Sequence, residues 1–182
     1  MCIRDRAWTW EYMALTRARL IATPAALNAR LTSAIHELLT LKRDTDRLVI
    51  EIADMRRRVA KEHPSPSQWD IKYRRGGLMD LEFIAQYLQL RYAPADAAVL
   101  SVSTSNALKK LALAGHIELH VTNDLLTALS LWQHLQGILR LTLAENSDVE
   151  AAPHGLHPIL IRNTKAKSLS GLKDEMDNAA HH

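Results

Sequence analysis

Cysteine is almost missing from this 182-residue chain: there is one, Cys2. A lone cysteine excludes an internal disulfide and any cysteine-based zinc site, and it points to a reducing compartment. Glycine and proline are also scarce, at six each, which argues against a fold rich in turns and strands. Aromatic residues make up only 5% of the chain. No apolar run approaches the roughly 20 residues that a membrane span needs. The opening "MCIRDR" is polar and charged, so it is not a secretory signal. Charge of one sign is lacking too. The net charge is only +3, with acids and bases interleaved, so nucleic acid is not an expected partner.

What is present is helix-forming. Hydrophobic residues are 47% of the chain and charged residues 24%, ordinary values for a globular protein, and the helix formers Leu, Ala and Arg dominate. The period predicts a helix over residues 7–22, with Trp8, Met13 or Tyr12, Leu15 and Ala18 near one face. A second helix starts at Thr23 as N-cap, with Pro24 at its first position. It carries a stripe of Leu27, Leu31, Ile35, Leu38 and Leu39. A third covers residues 43–63, with Leu48, Ile52, Met55 and Val59 on one side.

"HPSPSQW" then interrupts the pattern, "WDIKY" reads as a short extended piece and "RRGG" as a turn. A helical period resumes at Met79, through Leu81, Ile84, Leu88 and Tyr92. Residues 103–115 have a Ser/Thr start and stop at Gly115. The strongest pattern begins at a cap on Thr122 or Asn123, with Leu125, Leu129, Trp132, Leu139 and Leu143 at helical spacings of three, four or seven. Residues 146–158 read as loop and residues 168–182 as a short, fraying helix. The expected fold class is all-α, a bundle of six or seven helices. It divides into 7–62 and 79–182, joined by a linker at 63–78, with fraying after about residue 146.

Several stretches invite a functional reading. Asp44 and Asp46 form an Asp-x-Asp, the metal core of many nucleotidyltransferases. Carboxylates two residues apart share a face only on a strand, however, and these flanks are helical, so the pair reads as an exposed helix start. His116 and His120 stand four apart, but a glycine precedes them and no third ligand is evident. His154 and His157 lie in a loop, and His181 and His182 at the very end. None has a recognised zinc spacing. "RRGG" lacks the Gly-Lys-Ser/Thr ending of a phosphate loop.

The most informative is Asp80 and Glu82, inside "RRGGLMDLEF". On a strand both carboxylates would reach one metal; on a helix they point about 200° apart and would not. The period of "FIAQYLQL" favours a helix. Asp80 would then act as a cap, and Glu82 would take an inward partner, such as an arginine from the first helix. Glu11, Arg17 and Arg19 in "EYMALTRAR" are read as a solvated face in which one arginine can meet a phosphate.

Two segments carry a family resemblance. "AWTWEYMALTRAR" resembles the Trp-Thr-Trp-Glu-x-x-Ala-Leu-x-Arg-Ala-Arg segment of bacterial glutamine synthetase adenylyltransferases. "WDIKYRRGGLMDLEFIAQYLQLRYA" resembles their Asp-Ile-Lys…Gly-Gly-x-x-Asp-Ile-Glu-Phe-x-x-Gln-Tyr-Leu segment. Order and separation fit as well, and the resemblance covers residues 7 to about 145. Met79 and Asp80 match the adenylylating, C-terminal half of that bifunctional enzyme rather than its adenylyl-removing half. The resemblance implies the helical end of a polymerase-β-type nucleotidyltransferase followed by a helical domain. It implies a cytoplasmic enzyme that moves AMP from ATP, with Mg²⁺, to a tyrosine of glutamine synthetase, with the PII signalling protein as a further partner.

The family's Gly-Ser…Asp-x-Asp segment is absent here, and residues 1–6 do not fit and read as non-native. The chain is therefore expected to be a fragment, inactive alone, with no catalytic or metal-binding residue of its own and no bound cofactor. Asp80 and Glu82 are expected to support the site from outside. Glu11, Arg17, Arg19 and Lys72 are candidates for ATP phosphate contact or site support. The competing expectations are a piece of the PII uridylyltransferase, or a helical interaction module without enzymatic parentage.

Overall fold

In the computed structural model, residues 7–21, 24–65 and 70–142 are described. They form α1 (Thr9–Leu15), α2 (Ala25–Leu39), α3 (Thr45–Glu62), α4 (Leu78–Tyr92), a 3-10 turn (Ala97–Val99), α5 (Thr104–Leu113) and α6 (Leu119–Thr142). There is no strand among the described residues, so the all-α expectation holds. The Thr23 cap and Leu143, and the readings of residues 1–6, 146–158 and 168–182, lie outside the described residues.

α4 is the axis of the molecule. It packs against α1, α3, α5, α6 and the 3-10 turn. Nine of its residues are buried, including Leu78, Leu81, Ile84, Leu88 and Leu90. A helix packed on most of its sides is apolar over most of its surface, and its two buried glutamines need partners. Gln89 finds them, donating to the carbonyl of Ala85 and accepting from the N–H of Ser101 at 2.7 Å, which moors the approach to α5. Around this axis lie Met13 of α1, Leu48 and Ile52 of α3, Leu108 and Leu111 of α5, and Leu125, Leu129 and Trp132 of α6.

Local chemistry sets most ends. Asp44 caps α3, its carboxylate accepting from the N–H groups of Asp46 and Arg47, each at 3.0 Å. "DTD" is thus a helix start. α5 begins at Ser103 and stops where Gly115 takes φ +76°. There the N–H of His116 reaches the Leu111 carbonyl and that of Gly115 the Ala112 carbonyl, the paired closure that a left-handed glycine permits. Arg43 closes α2, donating to the carbonyls of Leu38, Leu39 and Leu41. Burial pushes the Arg43 guanidinium pKa down, and Tyr12, whose ring lies 4.4 Å below it, opposes that shift.

Several expectations need correction. α1 ends at Leu15, because the buried Thr16 hydroxyl takes the Met13 carbonyl at 2.7 Å and the chain turns away. Trp8 does not join the buried stripe; it is 72% exposed. Pro24 is the N-cap of α2 rather than its first residue. Leu27 and Leu31 of α2 are exposed, and Leu39 is the residue that α2 buries. Residues 71–73 turn rather than extend. α6 starts three residues before Thr122, which is an interior residue: it is 2% exposed and its hydroxyl donates back to the Glu118 carbonyl.

Candidate functional site

The segment singled out from sequence, residues 74–83, is a tight turn running into α4. Its backbone is laced together. The Leu78 N–H donates to the Ile71 carbonyl and the Gly77 N–H to the Arg74 carbonyl, both at 2.9 Å. The Asp70 carboxylate accepts from the N–H groups of Lys72 and Tyr73. The two glycines are there for different reasons. Gly76 sits at φ +74°, where a side chain is strained although space is open. Gly77 has an ordinary φ, but a Cβ there would stand 2.7 Å from the Ile71 carbonyl oxygen and 2.9 Å from that of Arg74.

Three helices grip this turn. Asp80, at the third position of α4, reaches back and accepts the Gly76 N–H at 2.6 Å. Its other oxygen pairs with Arg56 of α3. Arg56 also donates to the Tyr73 carbonyl at 2.9 Å. From α6 the Trp132 indole N–H donates to the Gly76 carbonyl at 3.0 Å. Asp80 is therefore not the N-cap; that position is Gly77, and Asp80 serves the turn from inside the helix.

Glu82 faces elsewhere. It pairs at 2.5 Å with Arg17, which follows α1, and the Arg17 side chain is 45% exposed. The two carboxylates are thus held by arginines from different elements, as the helical divergence of neighbours two apart requires. No set of three His, Cys, Asp or Glu able to hold a metal occurs among the described residues. His116 stacks on Tyr92 at 3.9 Å, and His120 pairs with Glu118, so these two histidines do not converge.

Glu11 accepts the Trp8 N–H at 2.7 Å and thereby caps α1. Arg19 is exposed and makes no hydrogen bond or ion pair among the described residues. Lys72 is exposed on the turn, its ammonium 4.7 Å from the Tyr73 ring centre. Thr9 donates to Glu51 of α3, which also pairs with Arg47. The Thr9 hydroxyl holds the Glu51 carboxyl below its usual range, with burial opposing and Arg47 assisting. Arg56 is not singled out by the sequence, and Trp132 only as part of an apolar stripe, not as a donor to this turn. An arginine and an indole N–H on buried faces always want acceptors, but only the fold says which.

A family model described as GlnD PII-uridylyltransferase matches residues 30–149. Among curated proteins, the bifunctional glutamine synthetase adenylyltransferase/adenylyl-removing enzymes of Bradyrhizobium diazoefficiens and Rhodopseudomonas palustris are each 38% identical over 169 residues. Each alignment covers 93% of this chain and 17% of the relative. The corresponding enzyme of Agrobacterium fabrum is 37% identical over 176 residues, or 95% of this chain and 18% of its own. The chain thus spans less than a fifth of the length of these relatives.

Proposed function

The chain belongs to the family defined by the GlnD PII-uridylyltransferase model, and from that premise we propose that it is a helical part of a glutamine synthetase adenylyltransferase, an enzyme that transfers AMP from ATP to a tyrosine of glutamine synthetase. The observation that carries this reading is the 38% identity to such enzymes along 93% of the chain. It is supported by the placement of the two most distinctive segments. "TWEYMAL" forms α1 and "GGLMDLEF" the turn and start of α4, and the Arg17–Glu82 ion pair joins them.

In this reading the chain positions and does not perform the chemistry. Magnesium and ATP are proposed to act chiefly in other parts of the longer enzyme, because Asp80 and Glu82, the acids singled out among the described residues, do not fit a magnesium site. Asp80 is neutralised by Arg56, Glu82 by Arg17, and the two acids face different partners. Asp80 holds the turn, Glu82 ties α4 to the segment after α1, and Glu11 keeps the start of α1 in register. Arg19 and Lys72, both exposed, are the proposed contacts from this part of the enzyme to an ATP phosphate held there. Glutamine synthetase and the PII protein are the proposed partners and the cytoplasm the proposed location. No helix among the described residues is long and apolar enough to cross a membrane.

The test is an assay of this chain with labelled ATP, magnesium and purified glutamine synthetase. No transfer is expected; rapid transfer would overturn the reading. The family description favours one alternative, a piece of a PII uridylyltransferase. It would be supported if a longer native form of the protein used UTP and PII instead of ATP and glutamine synthetase.

A further inference from the structure

α2 is the most exposed helix of the fold. Leu39 is its one buried residue, Ile35 and Leu38 are half-buried, and the rest of its length is open. Ile35 and Leu39, one turn apart, mark the side turned to the core. Leu27, Leu31, Ala34 and Leu38 recur at steps of four, three and four, so they keep to one narrow strip, which runs beside the core-facing side rather than on it. Arg30 and Glu37, both exposed, border that strip on its far side. They stand two turns apart and so share one edge. Neither has an ion-pair partner among the described residues.

We propose that this strip is a seam on which a second copy of the chain docks, with the two α2 helices antiparallel about a two-fold axis. The inference does not depend on the proposed activity. Its basis is that the strip complements itself. A two-fold axis passing between Ser33 and Ala34 sets Arg30 opposite the partner's Glu37, and Glu37 opposite the partner's Arg30, because both stand equally far from that midpoint. In an antiparallel pair the same edge of each helix lies against its twin, so the opposite charges meet. The same axis also interleaves the apolar side chains. Along the seam come Leu27, the partner's Leu38, Leu31 and the partner's Ala34, then the same order in reverse with the copies exchanged. Two alanines meet at the centre, where small side chains let the backbones approach. Charge pairing and apolar spacing are separate properties of the sequence, and one axis satisfies both. An unrelated partner would give no reason for that agreement. The seam is short, about 22 Å for 15 residues at about 1.5 Å each. The dimer is therefore weak and reversible, half-formed at about 10–100 µM chain.

The test is sedimentation equilibrium of the full chain at low ionic strength, up to about 500 µM. The native chain is compared with Arg30→Glu, Glu37→Arg and the variant that carries both. The expected result is a monomer–dimer equilibrium that weakens at least about fivefold in each single variant and returns to within about twofold of the native chain in the double variant, where the opposite charges face each other again. Net charge cannot imitate this pattern. Arg30→Glu takes the chain from +3 to +1 and Glu37→Arg takes it from +3 to +5, yet both are expected to weaken the dimer. A native chain that stays monomeric throughout, equal association in all four proteins, or a double variant no tighter than the single ones would each overturn the proposal. Should a charge reversal reduce helicity by circular dichroism, Leu31→Ser, at an exposed position, carries the test in its place: a dimer weakened less than about twofold would overturn the seam, and one weakened at least about fivefold would support it.

Discussion

Gly76 and Gly77 stand next to each other and make opposite demands. Alanine at Gly76 meets no atom but must hold φ +74°, a cost of about 1 kcal/mol. Alanine at Gly77 meets two backbone oxygens that cannot swing aside, and overpacking of that kind costs about 2–3 kcal/mol. Urea unfolding should therefore rank Gly77→Ala as the more damaging change. A reversed order would mean that the turn yields easily. The two acids of α4 also separate by environment. The Arg56–Asp80 pair is enclosed, at 18% exposure for each side chain, and both members make further bonds to the turn. Removing one partner should cost about 2 kcal/mol or more. The Arg17–Glu82 pair is far more open, so its coupling should be about 0.5 kcal/mol. Double-mutant cycles with Arg56→Gln and Asp80→Asn, and with Arg17→Gln and Glu82→Gln, measure both couplings. Similar values would contradict the division between a turn clasp and a surface tether.

Among the elements, α1 is short and depends on side-chain ties. Thr9 binds Glu51 of α3, and Tyr12 lies under Arg43 at the end of α2. The Glu51 tie makes a prediction about pH. Its carboxyl titrates below the ordinary 4.5 in the folded chain. A depressed pKa adds stability that is complete above the unfolded value and disappears as pH falls through the folded one. Thermal midpoints should fall as the medium is taken below about pH 4.5, and Glu51→Gln should flatten part of that slope while lowering the midpoint at pH 7. A slope unchanged by the substitution would remove Glu51 as its source. α2 shows a limit of reading elements by pattern. Its leucine stripe predicts a buried face, yet within the described residues Leu27 and Leu31 face outward. A stripe announces that a helix wants a neighbour, not that the neighbour is nearby.

On the scale of the whole molecule, half of the large exposed apolar side chains among the described residues, both exposed tryptophans included, lie in or beside α1 and α2. Trp8 is 72% and Trp10 55% exposed, and Ile21, Leu27 and Leu31 add to them. Large exposed aromatics of this kind ordinarily mark a contact surface. In isolation that surface should promote self-association. Light scattering of concentrated solutions should show less association for Trp8→Ser with Trp10→Ser than for the native chain, at an unchanged thermal midpoint. A large drop in the midpoint would instead place these rings in the core.

Helical content, the position of most helices, the glycine stop at Gly115 and the cap at Asp44 were all determined by the sequence alone. Each depends on bonds between residues at most five apart, whose geometry the chain carries locally. The divergence of Asp80 and Glu82 was readable for the same reason, since it follows from helical rotation. Tertiary structure alone decided that α4 packs against four other helices, that Trp132 and Arg56 converge on a turn far away in sequence, and which arginine meets which acid. Those outcomes depend on how helices lie against one another. Packing chooses among many arrangements that satisfy the same local pattern.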